Sequence, residues 1–181
     1  MPRIEPIDSS AATGDTATQL AAARNMFGRD VNLITTAANS PAAVGAMVSF
    51  FGRLGAGSLG GRTGELIAIA IAQANGCDYC LSAHSAVGAL HGLTADALAA
   101  ARHARATDPK VEAMLTFAVT VNEARGRIDD AALAAARAAG LSDAELVEVI
   151  AHVALSVFTN YLNNVARTAV DFPEVRAAAA A

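Results

Sequence analysis

Apolar residues recur along most of this chain at the three-to-four-residue spacing of an α-helix. Over 41–55 the stripe is Val44, Met47, Val48, Phe51 and Leu54, which predicts one helix with a single buried face. Asn39-Ser40-Pro41 precedes it as a turn, with Ser40 as N-cap and Pro41 at the first helical position. The segment opening at Thr16 puts Leu20, Ala23 and Phe27 on one stripe. The segment after Asp108-Pro109 turns Val111, Met114, Leu115 and Ala118 inward.

Leu66 to Ala72 is apolar without interruption. The helix containing it, which opens after the loop "GAGSLGG", is therefore predicted to be buried nearly all round. Asn75-Gly76 ends it, and a second helix starts at once near Cys77, runs to His91 and stops at Gly92. "GLTADAL" from Gly92 and "GLSDAEL" from Gly140 share one grammar: a Gly stop, a Thr or Ser N-cap, then an early acid. "IDDAALAAARAAG" is predicted as a short surface helix. The last long helix is predicted from Asp143 to about Val170, closed by Asp171-Phe172-Pro173. The expectation is all-α: a compact bundle of seven to eight helices, residues 16–175, preceded by an extended or disordered arm (1–15) and followed by a tail (176–181).

Composition agrees with close-packed helices, since alanine and glycine let backbones approach and β-branched runs bounded by turns are scarce. A net charge of −4 and a single lysine, Lys110, argue against nucleic acid, which needs clustered cations. The most basic patch, "ARHAR" at 101–105, reads as a solvated helix end. The N-terminal stretch lacks the apolar core of a signal peptide. The longest apolar run is seven residues, far below the roughly 20 that span a bilayer. No membrane partner and a cytoplasmic location are the expectations.

The chemistry concentrates in "GELIAIAIAQANGCDYCLSAH". If a helix begins near Cys77, then Cys77, Cys80 and His84 form a row at i, i+3 and i+7. A helix N-terminus favours thiolate, which on its own would single out Cys77. His84, one turn beyond Cys80, makes a nucleophile–base pair with Cys80 instead. Glu65, a lone carboxylate in an apolar helix, is placed to orient that imidazole.

Other chemistries fit less well. Structural zinc takes four ligands, commonly in two pairs; Cys77, Cys80 and His84 give three, with Glu65 as the one further candidate. A c-type haem needs His directly after the second Cys, where Leu81 stands. An iron–sulfur cluster lacks its thiols. Two inert core cysteines would make the spacing, the helix start and the histidine a coincidence. A redox dithiol fits best.

Glu65, Cys77 twelve later, Cys80 three later and His84 four later resemble the signature of the AhpD-like alkylhydroperoxidases of the carboxymuconolactone decarboxylase superfamily. The flanks are similar too: Arg62-x-x-Glu65 leading to Asn75-Gly76-Cys77, and more loosely "GLTADAL" and "FTNYLNNVARTAVDFP". The resemblance implies an all-helical fold assembling as a homotrimer or homohexamer. It implies an antioxidant thiol-dependent peroxidase or disulfide reductase, with Cys80 the peroxidatic and Cys77 the resolving thiol. Glu65 and His84 would form a proton relay. The substrate would be a small-molecule peroxide, and a protein or small-thiol reductant would restore the dithiol, with no cofactor beyond the cysteine pair and no metal.

One position departs from the family pattern. Where alkylhydroperoxidases carry a second histidine just before the second cysteine, this chain has Tyr79, a phenol that hydrogen-bonds but shuttles protons poorly near neutrality. Tyr79 is therefore a possible modulator. A redox-responsive oligomer without peroxide turnover, or a decarboxylase-like member acting on another small substrate, is the alternative; the decarboxylase branch lacks the cysteine pair.

Elsewhere, His91 reads as a helix C-cap, His103 as solvated, and His152 as a core or interface histidine. Arg62 is expected to pair with Glu65 or a neighbouring chain. Asn160, Asn163 and Asn164, unusual in an apolar helix, are expected to pair across helices or subunits.

Overall fold

The computed structural model describes residues 1–177, and these form nine α-helices with no strand among the described residues. They are α1 (Gly14–Phe27), α2 (Asn32–Ala37), α3 (Pro41–Gly55), α4 (Gly60–Ala74), α5 (Asp78–Leu90), α6 (Ala95–Ala101), α7 (Pro109–Glu123), α8 (Asp130–Ala138) and α9 (Asp143–Ala166). The starts follow local chemistry. Ser40 accepts the Ala43 N–H, Asp108 those of Lys110 and Val111, and Ser142 closes a capping box with Glu145.

α4 is the axis of the bundle, packed against α3, α5, α6, α7 and α9. The whole run Leu66 to Ala72 is buried, with Ile67, Ile69 and Ile71 inaccessible to solvent. Burying each of those side chains stabilises the fold by about 1.5–3 kcal/mol. Gly76 takes a left-handed φ of 61° and reverses the chain between α4 and α5. The Cys77 N–H reaches back to the Ala72 carbonyl at 2.9 Å, so the two helices leave this turn packed side by side.

Two elements differ from the sequence expectation. α2 adds a helix beyond the seven or eight expected. Its Ile34-Thr35-Thr36 run carries weak helix propensity, but all five residues from Leu33 to Ala37 are buried, and packing outweighs propensity. α9 ends at Ala166 rather than near Val170. Arg167 adopts φ 51°, ψ 51°, and the Thr168 N–H bonds back to the Asn163 carbonyl, which stops the helix.

The N-terminal segment is held by Ile7 N–H to Thr35 O and Arg3 N–H to Ala166 O. At the other end, the Ala177 N–H bonds to Asp78 and the Arg176 carbonyl accepts from Arg102; the rest of the expected tail, 178–181, lies outside the described residues. α9 is long and apolar enough, by length and composition, to cross a membrane. An expectation built on uninterrupted apolar runs overlooks it, because asparagines and a histidine interrupt its sequence. Here it packs against α4, α7, α3, α2 and α5.

Candidate active site

Glu65 on α4 and His84 on α5 meet across the helix pair, with Glu65 Oε2 2.8 Å from His84 Nδ1. Both side chains are nearly buried, 17% and 19% exposed. Burial opposes charging the imidazole, yet the facing and hydrogen-bonded Glu65 carboxylate prevails and raises the His84 pKa above the ordinary histidine value. The pair is a hydrogen-bonded imidazole–carboxylate device one turn from Cys80.

Both cysteines are free thiols and buried, Cys77 wholly and Cys80 to 2% exposure. Cys77 is the N-cap of α5 rather than its first residue, so the expected row on one helix face holds for Cys80 and His84 while Cys77 stands outside it. The Cys77 sulfur accepts the Cys80 N–H at 3.3 Å. Its thiol hydrogen turned toward the Cys80 sulfur, together with burial, raises Cys77 well above the ordinary thiol range.

Cys80 moves the other way. Burial pushes its pKa up, but the hydrogen bond from Cys77, the charge on His84 and the amides of Asn163 and Asn160 bring it down to about 7. The Asn163 amide donates to the Cys80 sulfur at 3.2 Å. Of the two thiols, Cys80 is the one built to ionise.

Asn163 and Asn160 were foreseen only as buried amides in need of partners. Asn160 accepts from Asn75 at 2.9 Å, and Asn164 donates to the Asn75 carbonyl, so both pair across helices as expected. That a sulfur is the partner of Asn163 has only a faint sequence signal, the Asn160/Asn163/Asn164 cluster at one-turn spacing. Tyr79, 4% exposed, points away from the relay: its hydroxyl accepts the Leu33 N–H at 3.0 Å, and its ring meets Phe172 edge-on. Desolvation raises its pKa, so it stays a neutral phenol that ties α5 to α2. Arg62 does not pair with Glu65; it donates to the His91 carbonyl, because His84 occupies the carboxylate. His91 is the C-cap of α5, and His103 is exposed, both as expected.

A cavity of about 590 Å³ opens beside this cluster. Phe27, Phe51, Leu33, Leu54, Leu90 and Phe172 make it mainly apolar, and Glu65, His84 and His152 stand in its wall. Cys80 is not in the lining, but its neighbour Tyr79 and the next-turn residues Ala83 and His84 are. Among the described residues, no group of three or more His, Cys, Asp or Glu side chains is arranged to hold a metal ion.

A bundle that presents a dithiol at a helix turn, backed by a carboxylate–imidazole pair, defines a class of thiol-bearing helical proteins. The profile of the Carboxymuconolactone decarboxylase family matches residues 41–123, the span from α3 through the dithiol to α7. Among solved structures, a peroxidase-related protein from Ralstonia eutropha JMP134 with an alkylhydroperoxidase AhpD core is 25% identical, with a TM-score of 0.81 over 94% of this chain and 92% of that one. A peroxidase-related protein from Silicibacter sp. TM1040 is 19% identical, with a TM-score of 0.77 over 92% of each chain. The debrominase Bmp8, in complex with 2,3,4-tribromopyrrole, is 20% identical, with a TM-score of 0.78 over 93% of this chain and 91% of that one. The last two likenesses carry the fold alone. No curated protein sequence matches the chain. The profile match over 41–123 and the likeness to the AhpD-core structure support the AhpD/carboxymuconolactone decarboxylase superfamily.

Proposed function

We propose that this protein is a thiol-dependent peroxidase of antioxidant type, with Cys80 the peroxidatic and Cys77 the resolving cysteine. The observation that carries this reading is the opposite tuning of the two thiols: Cys80 is drawn down to about 7 while its neighbour is pushed up. The Cys80 thiolate attacks the distal oxygen of a hydroperoxide ROOH. A sulfur–oxygen bond forms, the O–O bond breaks, and sulfur is oxidised by two electrons. The departing alkoxide takes a proton from the His84 imidazolium, which Glu65 keeps charged, and leaves as ROH. The Cys77 thiol then displaces water from the sulfenic acid to form the disulfide. A protein or small-molecule dithiol restores the pair by exchange. The apolar cavity favours an organic hydroperoxide over hydrogen peroxide.

The working form is a homo-oligomer, a trimer or hexamer, acting in the cytoplasm. Val147, Ile150, Phe158, Tyr161 and Val165 stand exposed along α9 at helical spacing, an apolar stripe that a second copy would cover. Likeness to a debrominase supports a second reading, in which the dithiol's two electrons reduce a carbon–halogen bond of a halogenated aromatic to C–H and halide. The aromatic cavity wall suits such a substrate equally. The experiment that separates them is consumption of cumene hydroperoxide, and of a bromopyrrole, with dithiothreitol as reductant. Hydroperoxide turnover in the native protein, lost on the order of a thousandfold in Cys80→Ser, supports the peroxidase. Full activity in that variant rejects Cys80, and turnover of the bromopyrrole alone selects the second reading.

A further inference from the structure

One imidazole in the cavity wall has no part in the steps above. His152 lies on α9, and its ring rests over Gly64: a Cβ built at that glycine would meet the His152 Cε1 at 3.0 Å. The residue next to Gly64 is Glu65, so the absence of a side chain at 64 lets the His152 ring approach the relay. His152 Nε2 is buried and makes no hydrogen bond. A buried imidazole nitrogen without a partner costs about 1–3 kcal/mol, and such a group in a native fold calls for an explanation.

The charged groups facing this ring come from three helices: Glu65 on α4, His84 on α5 and Glu148 one turn back on α9. Glu148 is occupied at the start of α4, where it accepts the N–H groups of Ser58 and Leu59. Glu65 is occupied by His84. Neither hydrogen-bonds His152: its ring lines the cavity, and its unpartnered Nε2, closed to solvent in this conformation, meets a ligand there when the ring turns. Burial lowers the His152 pKa despite those carboxylates, so at neutral pH the ring is an uncharged donor or acceptor.

We propose that His152 is the substrate-contact residue of this site, hydrogen-bonding the peroxide oxygens of an organic hydroperoxide whose apolar body fills the cavity. The assignment rests on the peroxidase reading. Division of labour follows: His84 supplies the proton, and His152 holds the O–O group in line with the Cys80 sulfur. It is a second imidazole reached from α9, in a chain whose residue before the second cysteine is Tyr79.

Stopped-flow oxidation of the reduced full-length protein by cumene hydroperoxide tests this in three variants, alongside the pH midpoint of Cys80 alkylation. His152→Leu removes the hydrogen bond and is expected to slow oxidation on the order of 10- to 100-fold. His152→Gln, whose amide nitrogen can occupy the place of Nε2, is expected to recover most of the rate. Gly64→Ala, which forces the ring to shift by a few tenths of an ångström, is expected to fall in between. In all three the alkylation midpoint stays at the native value, which a merely structural loss would move. A His152→Leu rate within twofold of native, or a loss accompanied by a shifted Cys80 midpoint, overturns the assignment. A native protein inert to the hydroperoxide rejects the peroxidase reading and this assignment with it, whereas active native and His152→Leu proteins reject this assignment alone.

Discussion

The two faces of α9 differ in kind: the inward one is apolar over its first half, where Leu146, Val149 and Val153 are buried, and largely polar over its second, while the outward one carries a stripe of apolar side chains. Its inward face buries Ser156, Thr159, Asn160 and Asn163, while its outward face leaves Val147, Ile150, Phe158, Tyr161 and Val165 exposed. Polar groups enter an interior only when something there satisfies them. On this helix one such partner is the Cys80 sulfur, and the Asn75 side chain is another. The inward polarity is thus tied to the Cys80 sulfur that Asn163 faces, and the outward apolarity leaves the stripe that the proposed assembly would cover. One helix carries both because its polar and apolar residues repeat at the same one-turn spacing on opposite sides.

The largest disturbance to this contrast comes from Asn163→Asp. A carboxylate in place of the amide faces the developing thiolate, and the Cys80 pKa is expected to rise by about two units, so that alkylation at neutral pH slows on the order of 100-fold. Replacing His84 by Asn removes the positive charge but keeps a polar side chain. A rise of about one unit and a tenfold slower reaction are expected from the same alkylation assay. Asn163→Ala, which deletes one donor, is expected to raise the midpoint by up to about one unit.

The pH dependence of the native protein has a fixed sign. Thiolate is the reactive form, so in the proposed peroxidase oxidation by peroxide is expected to climb as pH rises through about 7 and to be lost below it. In His84→Asn the climb moves to higher pH, which a stopped-flow profile reads directly. On the outward face, Ile150→Glu is expected to leave the alkylation midpoint unmoved and the chain's stability within about 0.5 kcal/mol. Light scattering on the same variant is expected to show a smaller assembly than the native protein. An unchanged mass breaks the proposal that this stripe joins copies.

The helical stripes, the caps at Ser40, Asp108 and Ser142, and the burial of Leu66 to Ala72 were legible because each is written in neighbouring residues. The Glu65–His84 meeting was legible too, since a recurring spacing across a Gly76 turn specifies an antiparallel helix pair. α2 was not, because its helix is imposed by burial against weak local propensity. Nor was the position of Cys77: one residue decides whether a side chain lies on a helix or caps it, and as the cap the Cys77 sulfur accepts the Cys80 backbone N–H. Asn163 and His152 lie more than sixty residues from the sequence motif, and only the packing of α9 against α4 and α5 brings them to it.

The central claim is that the fold tunes two cysteines three residues apart in opposite directions. Mass-spectrometric mapping of iodoacetamide labelling on the reduced protein, followed across pH, tests it most directly. Modification confined to Cys80 with a midpoint near 7, and Cys77 unlabelled throughout, is the expected result. Labelling of Cys77 first, or of both cysteines together near the ordinary value of about 8.5, contradicts it.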